Sequence, residues 1–138
     1  MAVDYGTKRT GLAVTDNAQI IATGLETVPT HQIFDFLKKY FVTEKVATIV
    51  VGKPTKMNNE DSESAKYVNI FCEKFKKTYP DIQIIRYDER FTSKIASQTL
   101  VSAGLKKHDR QKKELLDVVS ATILLQDYME YNKNEKNR

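Results

Sequence analysis

Apolar and polar positions near the start of the chain follow a pattern that predicts three short strands. Apolar and β-branched side chains dominate residues 1–4, 11–15 and 20–28. The polar stretches between them, residues 5–9 and 16–17, have compositions typical of hairpin turns. We therefore expect the chain to open with an antiparallel meander of three strands.

The rest of the chain alternates between strand and helix patterns. Residues 47–52 form a continuous β-branched run, typical of a strand buried on both faces, and residues 82–87 predict a further strand. Apolar side chains at helical spacing predict four helices, with Thr30 and Thr92 as N-caps of the first and third. These helices begin near residues 30, 61, 92 and 113, and the last, which is the longest, ends near residue 131.

The predicted elements follow the order β-β-β-α-β-α-β-α-α, which is the order of the ribonuclease H-like fold. This order predicts an α/β protein with a mixed five-stranded sheet, three antiparallel strands followed by two parallel ones, and helices on both faces. We expect one domain over residues 1–131. The polar residues 132–138 are expected to form a disordered tail.

Composition narrows the class of protein without identifying a function. The 138 residues suit one domain with a sizeable core, and the single cysteine, Cys72, excludes an internal disulfide and a cysteine-rich zinc site. No apolar run approaches the roughly 20 residues that span a bilayer, so we expect a soluble protein of the cytoplasm with no membrane partner. The net charge of +4 permits a nucleic-acid partner but does not establish one.

Acidic residues occur at three places where a carboxylate is costly or informative. Asp4 interrupts the apolar first strand, where an unpartnered charge is unfavourable. Asp88 and Glu89 follow the last strand at its carboxyl end, where open α/β sheets place ligand residues. Asp117 lies on an apolar stripe of the last helix. Each acid also has an ordinary explanation: a frayed strand, a loop, or a helix start that favours negative charge.

Taken together, these acids indicate a metal site. A ribonuclease H-like sheet brings the first strand, the end of the last strand and the last helix together, and converging carboxylates repel one another. A divalent cation relieves that repulsion, and oxygen ligands suit Mg²⁺ or Mn²⁺. Two such ions about 3.5–4 Å apart can activate a water molecule and stabilise the leaving oxygen of a phosphodiester.

Four blocks of sequence are spread over residues 2 to 129: AVDYGTKRTGLAVTD, VVGKPTKMNN, YDERFTS and LLDVVSATILLQDYM. In this order they resemble the YqgF/RuvX family, which is described as Holliday-junction-resolvase-like and, provisionally, as a pre-16S rRNA nuclease. The resemblance implies a ribonuclease H-like domain that processes the 5′ end of pre-16S rRNA in the bacterial cytoplasm. It also implies that Asp4, Glu89 and Asp117 are the catalytic, metal-binding acids, with Asp88 ranked below Glu89 in the same motif.

Basic residues close to these acids are candidates for contacts with substrate phosphates. The densest basic cluster lies in the connector of residues 106–113, just before Asp117. A solvated loop is the alternative interpretation of such a run of charge. The predicted nucleic-acid-binding residues are Lys8, Arg9, Lys53, Arg90, Lys106, Lys107 and Arg110.

We therefore expect a hydrolase: a nuclease that uses Mg²⁺ or Mn²⁺, with pre-16S rRNA and ribosome assembly intermediates as partners. Structured DNA such as a Holliday junction is the alternative substrate. A non-catalytic nucleic-acid-binding module on the same fold stays open, as does the choice between monomer and homodimer. An ATP-binding phosphotransferase fits less well, because its first phosphate loop, which residues 4–8 resemble, works with a second domain and a second glycine-rich loop.

Overall fold

Five strands form one mixed sheet in the order β3-β2-β1-β4-β5. The computed structural model describes residues 1–16, 21–53, 64–88 and 112–136. The first three strands pair antiparallel, whereas β1 pairs parallel with β4, and β4 with β5, as the sequence predicted. The strands are β1 (Ala2–Tyr5), β2 (Arg9–Thr15), β3 (Ala22–Pro29), β4 (Thr48–Lys53) and β5 (Gln83–Asp88).

Three long helices cover the sheet: α1 (Ile33–Thr43), α2 (Ser64–Thr78) and α3 (Lys112–Lys136). The end of α3 lies five residues beyond the predicted position 131, at Lys136. The predicted helix that begins at Thr92, and most of the basic connector, lie outside the described residues. Within the described ranges, no helix is long and apolar enough to cross a membrane. The division into a domain over residues 1–131 and a disordered tail stays a prediction.

The two faces of the sheet carry different cores, because strand side chains alternate between them. On one face, large side chains such as Leu37 and Phe75 pack α1 and α2 against the sheet. On the other face, α3 packs on small side chains, including Ala2 and Ala13, which are fully buried. Helices therefore lie on both faces, as predicted, and α3 approaches the sheet closely.

Two glycines allow that close approach. A Cβ at Gly11 of β2 would clash with the backbone carbonyl of Asp117 in α3. A Cβ at Gly24 of β3 would clash with a side-chain methyl of Val118, and it would lie 3.2 Å from the Thr122 hydroxyl. The first turns of the described part of α3 therefore rest directly on the backbone of β2 and β3.

The prediction that Thr30 caps the first helix is wrong. Thr30 begins a 3-10 turn that precedes α1, and the N-cap of α1 is Gln32, which makes no side-chain capping bond. The Thr30 hydroxyl instead donates to the Gly6 carbonyl at 2.6 Å, and its backbone N–H donates to the Lys8 carbonyl at 3.0 Å. Since that hydroxyl proton goes to Gly6, the Thr10 hydroxyl, 2.8 Å away, donates to Thr30. These bonds fix the turn between β1 and β2 against the start of α1.

Candidate metal and nucleic-acid site

Asp4 lies near the carboxyl end of the central strand, on the face covered by α3. Ala2 belongs to the core beneath α3, whereas Val3 packs in the core of the other face. The Tyr5 ring also lies on the other face, with its centroid 4.9 Å from that of Phe71. Alternation therefore places the half-buried Asp4 on the α3 face. Burial raises the pKa of Tyr5, so this neighbour adds no negative charge at neutral pH.

Asp117 lies on α3, directly above the position of β2 that pairs with Asp4. Its backbone rests on Gly11, and Gly11 is the residue of β2 whose Cα pairs with Asp4. Ala121 and Leu124, on the same helical stripe, are fully buried, which confirms the predicted stripe. The structure therefore brings together two of the three predicted acids, on one face and at one edge of the sheet.

Arg9 provides a positive charge at this pair of acids. Its Nε donates to Oδ2 of Asp117 at 3.0 Å, with the two side chains 36% and 24% exposed. An ion pair with this much exposure contributes about 1 kcal/mol or less to stability. The sequence predicted a phosphate contact for Arg9 and did not reveal its pairing with Asp117. The signal in the sequence is the spacing of Arg9 and Gly11, which puts both on one face of β2.

The parallel strands β4 and β5 end at the same edge of the sheet as β1. In the parallel part of the sheet, Gly52 pairs with Tyr87 and Lys53 pairs with Asp88, the last residues of β4 and β5. The backbone of Lys53 is thus at the predicted edge. Glu89, the third predicted acid, follows immediately in the sequence but lies outside the described residues.

The predicted phosphate-binding residues divide into two groups. Lys8 is exposed in the turn that follows β1, beside the candidate site, and Arg9 begins β2. The others lie beyond the described part of the chain, except for the backbone of Lys53. The residues outside it are Arg90, Lys106, Lys107 and Arg110.

A cluster of tyrosines links β5 to α3, and the sequence analysis missed it. The Tyr87 hydroxyl donates to Oδ2 of Asp127 at 2.9 Å. Its ring meets those of Tyr128 and Tyr131 edge-on, with centroids 5.9 Å and 6.2 Å apart. The cluster ties the strand that leads to Glu89 to the helix that carries Asp117. The spacing of Tyr128 and Tyr131, three residues apart on one helix, is the only local signal for it.

The donors at this site fit a hard divalent cation. Asp4 and Asp117 offer carboxylate oxygens, which Mg²⁺ and Mn²⁺ prefer, and the Arg9 guanidinium already places positive charge at one of them. Within the described ranges, no group of three or more His, Cys, Asp or Glu side chains is arranged to hold a metal. The full predicted set therefore depends on Glu89.

Comparison with known proteins identifies one family for this chain. A model of the RuvX family, described as Holliday junction resolvase, matches residues 1–131. A relative from Flavobacterium johnsoniae is 55% identical over 129 residues, covering 94% of both chains. Relatives from Phocaeicola vulgatus and Bacteroides fragilis are each 53% identical, covering 96% and 94% of both chains. All three carry the provisional name pre-16S rRNA nuclease. The chain, with its ribonuclease H-like sheet, belongs to the RuvX family.

Proposed function

We propose that this protein is a nuclease that requires a divalent cation and hydrolyses phosphodiester bonds during 5′-end processing of pre-16S rRNA. One observation carries the proposal: Asp4 and Asp117 lie on the same face of the sheet, and the backbone of each is next to Gly11. Carboxylates that converge in this way repel each other, and a divalent cation relieves that repulsion. The names of the relatives supply the substrate, precursor 16S rRNA.

In this proposal, Asp4, Glu89 and Asp117 hold Mg²⁺ or Mn²⁺, most simply as a two-ion site. Glu89 is preferred to Asp88 because Glu89 matches the second acid of the family in the block YDERFTS. Such ions, when bound, would supply an activated water molecule and charge stabilisation for the leaving oxygen of the phosphodiester. The carboxylates would hold them at the carboxyl edge of the sheet.

The basic residues around this edge hold the nucleic-acid backbone. Lys8 is exposed next to the acids and suits a phosphate contact that is independent of sequence. Such contacts position the strand, and the affinity they provide falls with salt. We assign the same role to Lys53, Arg90, Lys106, Lys107 and Arg110.

A cleavage assay tests this function. Wild-type protein is incubated with a precursor 16S rRNA fragment that carries its 5′ leader, with Mg²⁺, with Mn²⁺ or with EDTA. We expect cleavage only with a divalent cation, and its loss in Asp4→Asn and in Asp117→Asn. Asp81→Asn is the matched control, because Asp81 is exposed and precedes β5 at the opposite edge of the sheet. Cleavage by both site variants at the wild-type rate would refute the assignment.

Branched DNA is the second candidate substrate, because the matching family model is described as Holliday junction resolvase. A competition assay distinguishes the two. Labelled rRNA fragment and labelled four-way junction are offered together, and the cleaved fraction of each is measured over time. Preferential cleavage of the rRNA supports the proposal and a cytoplasmic role with ribosome assembly intermediates, whereas preferential junction cleavage favours the resolvase.

A further inference from the structure

The ion pair between Arg9 and Asp117 places a permanent positive charge at one of the proposed metal ligands. Arg9 Nε donates to Asp117 Oδ2 at 3.0 Å. One carboxylate oxygen is therefore already engaged by a cation. A divalent ion at the same carboxylate would lie close to that guanidinium, and the two positive charges would repel each other.

The guanidinium is held in a way that permits it to move. The Arg9 side chain is 36% exposed, and Arg9 is the first residue of β2 rather than a member of either core. Its long apolar stem can swing while the charged head stays in water. Departure of the guanidinium from Asp117 would therefore leave the packing of α3 on the sheet unchanged.

We propose that Arg9 is a displaceable counterion of Asp117. A divalent cation takes the place of the Arg9 guanidinium at the Asp117 carboxylate, and the freed guanidinium then contacts a phosphate of the nucleic acid. This positioning role rests on the proposed function, because it requires Asp117 to be a metal ligand. Without the ion, Arg9 offsets the negative charge of the two acids. With the ion, its planar fork of N–H donors suits a bidentate contact with phosphate oxygens. The predicted phosphate contact and the observed ion pair then belong to two states of one side chain.

The direction in which an Arg9 substitution changes the metal affinity distinguishes two roles for Arg9. If Arg9 competes with the ion, Arg9→Gln raises the affinity of the folded protein for Mn²⁺, without nucleic acid, by about fivefold or more. If Arg9 instead holds Asp117 in place for the ion, the same change lowers the affinity, as loss of a supporting partner does. Lys8→Gln is the matched control: it removes the same charge from the neighbouring, exposed residue and should change the affinity by less than about twofold.

The salt dependence of RNA binding measures whether the freed Arg9 guanidinium contacts a phosphate. The Kd for a short single-stranded RNA is measured over a range of salt, with Ca²⁺ as a hard cation or with EDTA. With Ca²⁺, the slope of log Kd against log salt should be steeper for wild type than for Arg9→Gln by about 0.7, which is one phosphate contact. With EDTA, the two slopes should be equal. Lys8→Gln should shift the slope equally in both conditions.

Each result decides between the alternatives. Unchanged or weaker Mn²⁺ binding by Arg9→Gln overturns the displacement while leaving the proposed metal site intact. Absence of Mn²⁺ binding by the wild type overturns both. Urea unfolding monitors the fold of each variant, and Arg9→Met, which keeps the apolar stem, carries the same expectation if Arg9→Gln is unstable.

Discussion

A methyl group added at Gly11 tests whether the close approach of α3 to β2 sets the site. In Gly11→Ala, the new Cβ would clash with the carbonyl oxygen and carbonyl carbon of Asp117, and it would lie 3.1 Å from the Asp117 Cβ. Those first two atoms belong to the backbone of a 25-residue helix, so no side-chain rotation relieves the contact. The start of α3 must move away from the sheet, and it carries Asp117 with it.

The cost follows from two opposing effects. Overpacking of this kind costs about 1–3 kcal/mol. Replacing glycine by alanine in a strand returns about 0.5–1 kcal/mol of conformational entropy. We therefore expect the free energy of unfolding to fall, by up to roughly 2.5 kcal/mol, because the overpacking cost is the larger of the two effects. Urea denaturation followed by circular dichroism measures this loss.

Metal affinity separates a local effect on the site from general destabilisation. Because the displaced turn carries Asp117, the affinity of folded Gly11→Ala for Mn²⁺ should fall by about tenfold or more. Gly24→Ala is the matched control, since its methyl group meets the Val118 side chain and not the helix backbone at Asp117. Gly24→Ala should keep the wild-type affinity. If Gly11→Ala is destabilised yet binds Mn²⁺ as tightly as wild type, the helix–sheet distance does not set the site.

Two further expectations concern the framework around the site. Thr30→Val leaves the Gly6 carbonyl without the hydroxyl that donates to it at 2.6 Å. The free energy of unfolding, measured by thermal denaturation, should therefore fall by about 1–3 kcal/mol, whereas Thr30→Ser should retain most of the stability. Burial raises the pKa of the Cys72 thiol above its ordinary 9.0, so alkylation should be slow in the native protein and fast in urea. Because the unfolded thiol ionises first, the free energy of unfolding should also decrease as the pH rises past 9.0.

The order of strands and helices along the chain and the helical stripe of Asp117 were predictable because both rest on local periodicity. Strand alternation and helical spacing are read within a few residues, and the order of the elements then limits how the chain can pair. The family resemblance supported the same fold. The ends of the elements were less predictable. The last turns of α3, which ends at Lys136, are polar, and a polar stretch has no apolar periodicity from which a helix can be predicted.

Long-range contacts explain what the sequence did not reveal. The partner of Arg9 lies 108 residues away, and nothing in the local pattern distinguishes an ion pair from a phosphate contact. Thr30 has the residue type and position of a helix cap, yet its hydroxyl bonds to Gly6 across the chain. Gly11 reads as an ordinary strand glycine until α3 is placed upon it. In each case the deciding neighbour is brought close only by the completed sheet.

The most direct test of the metal site is the Mn²⁺-binding isotherm of the folded protein, measured by titration calorimetry without nucleic acid. We expect saturable binding by the wild type and by Asp81→Asn. Asp4→Asn and Asp117→Asn should each lose about tenfold or more in affinity while remaining folded. Wild-type affinity in both of these variants would contradict the proposal that Asp4 and Asp117 hold the cation.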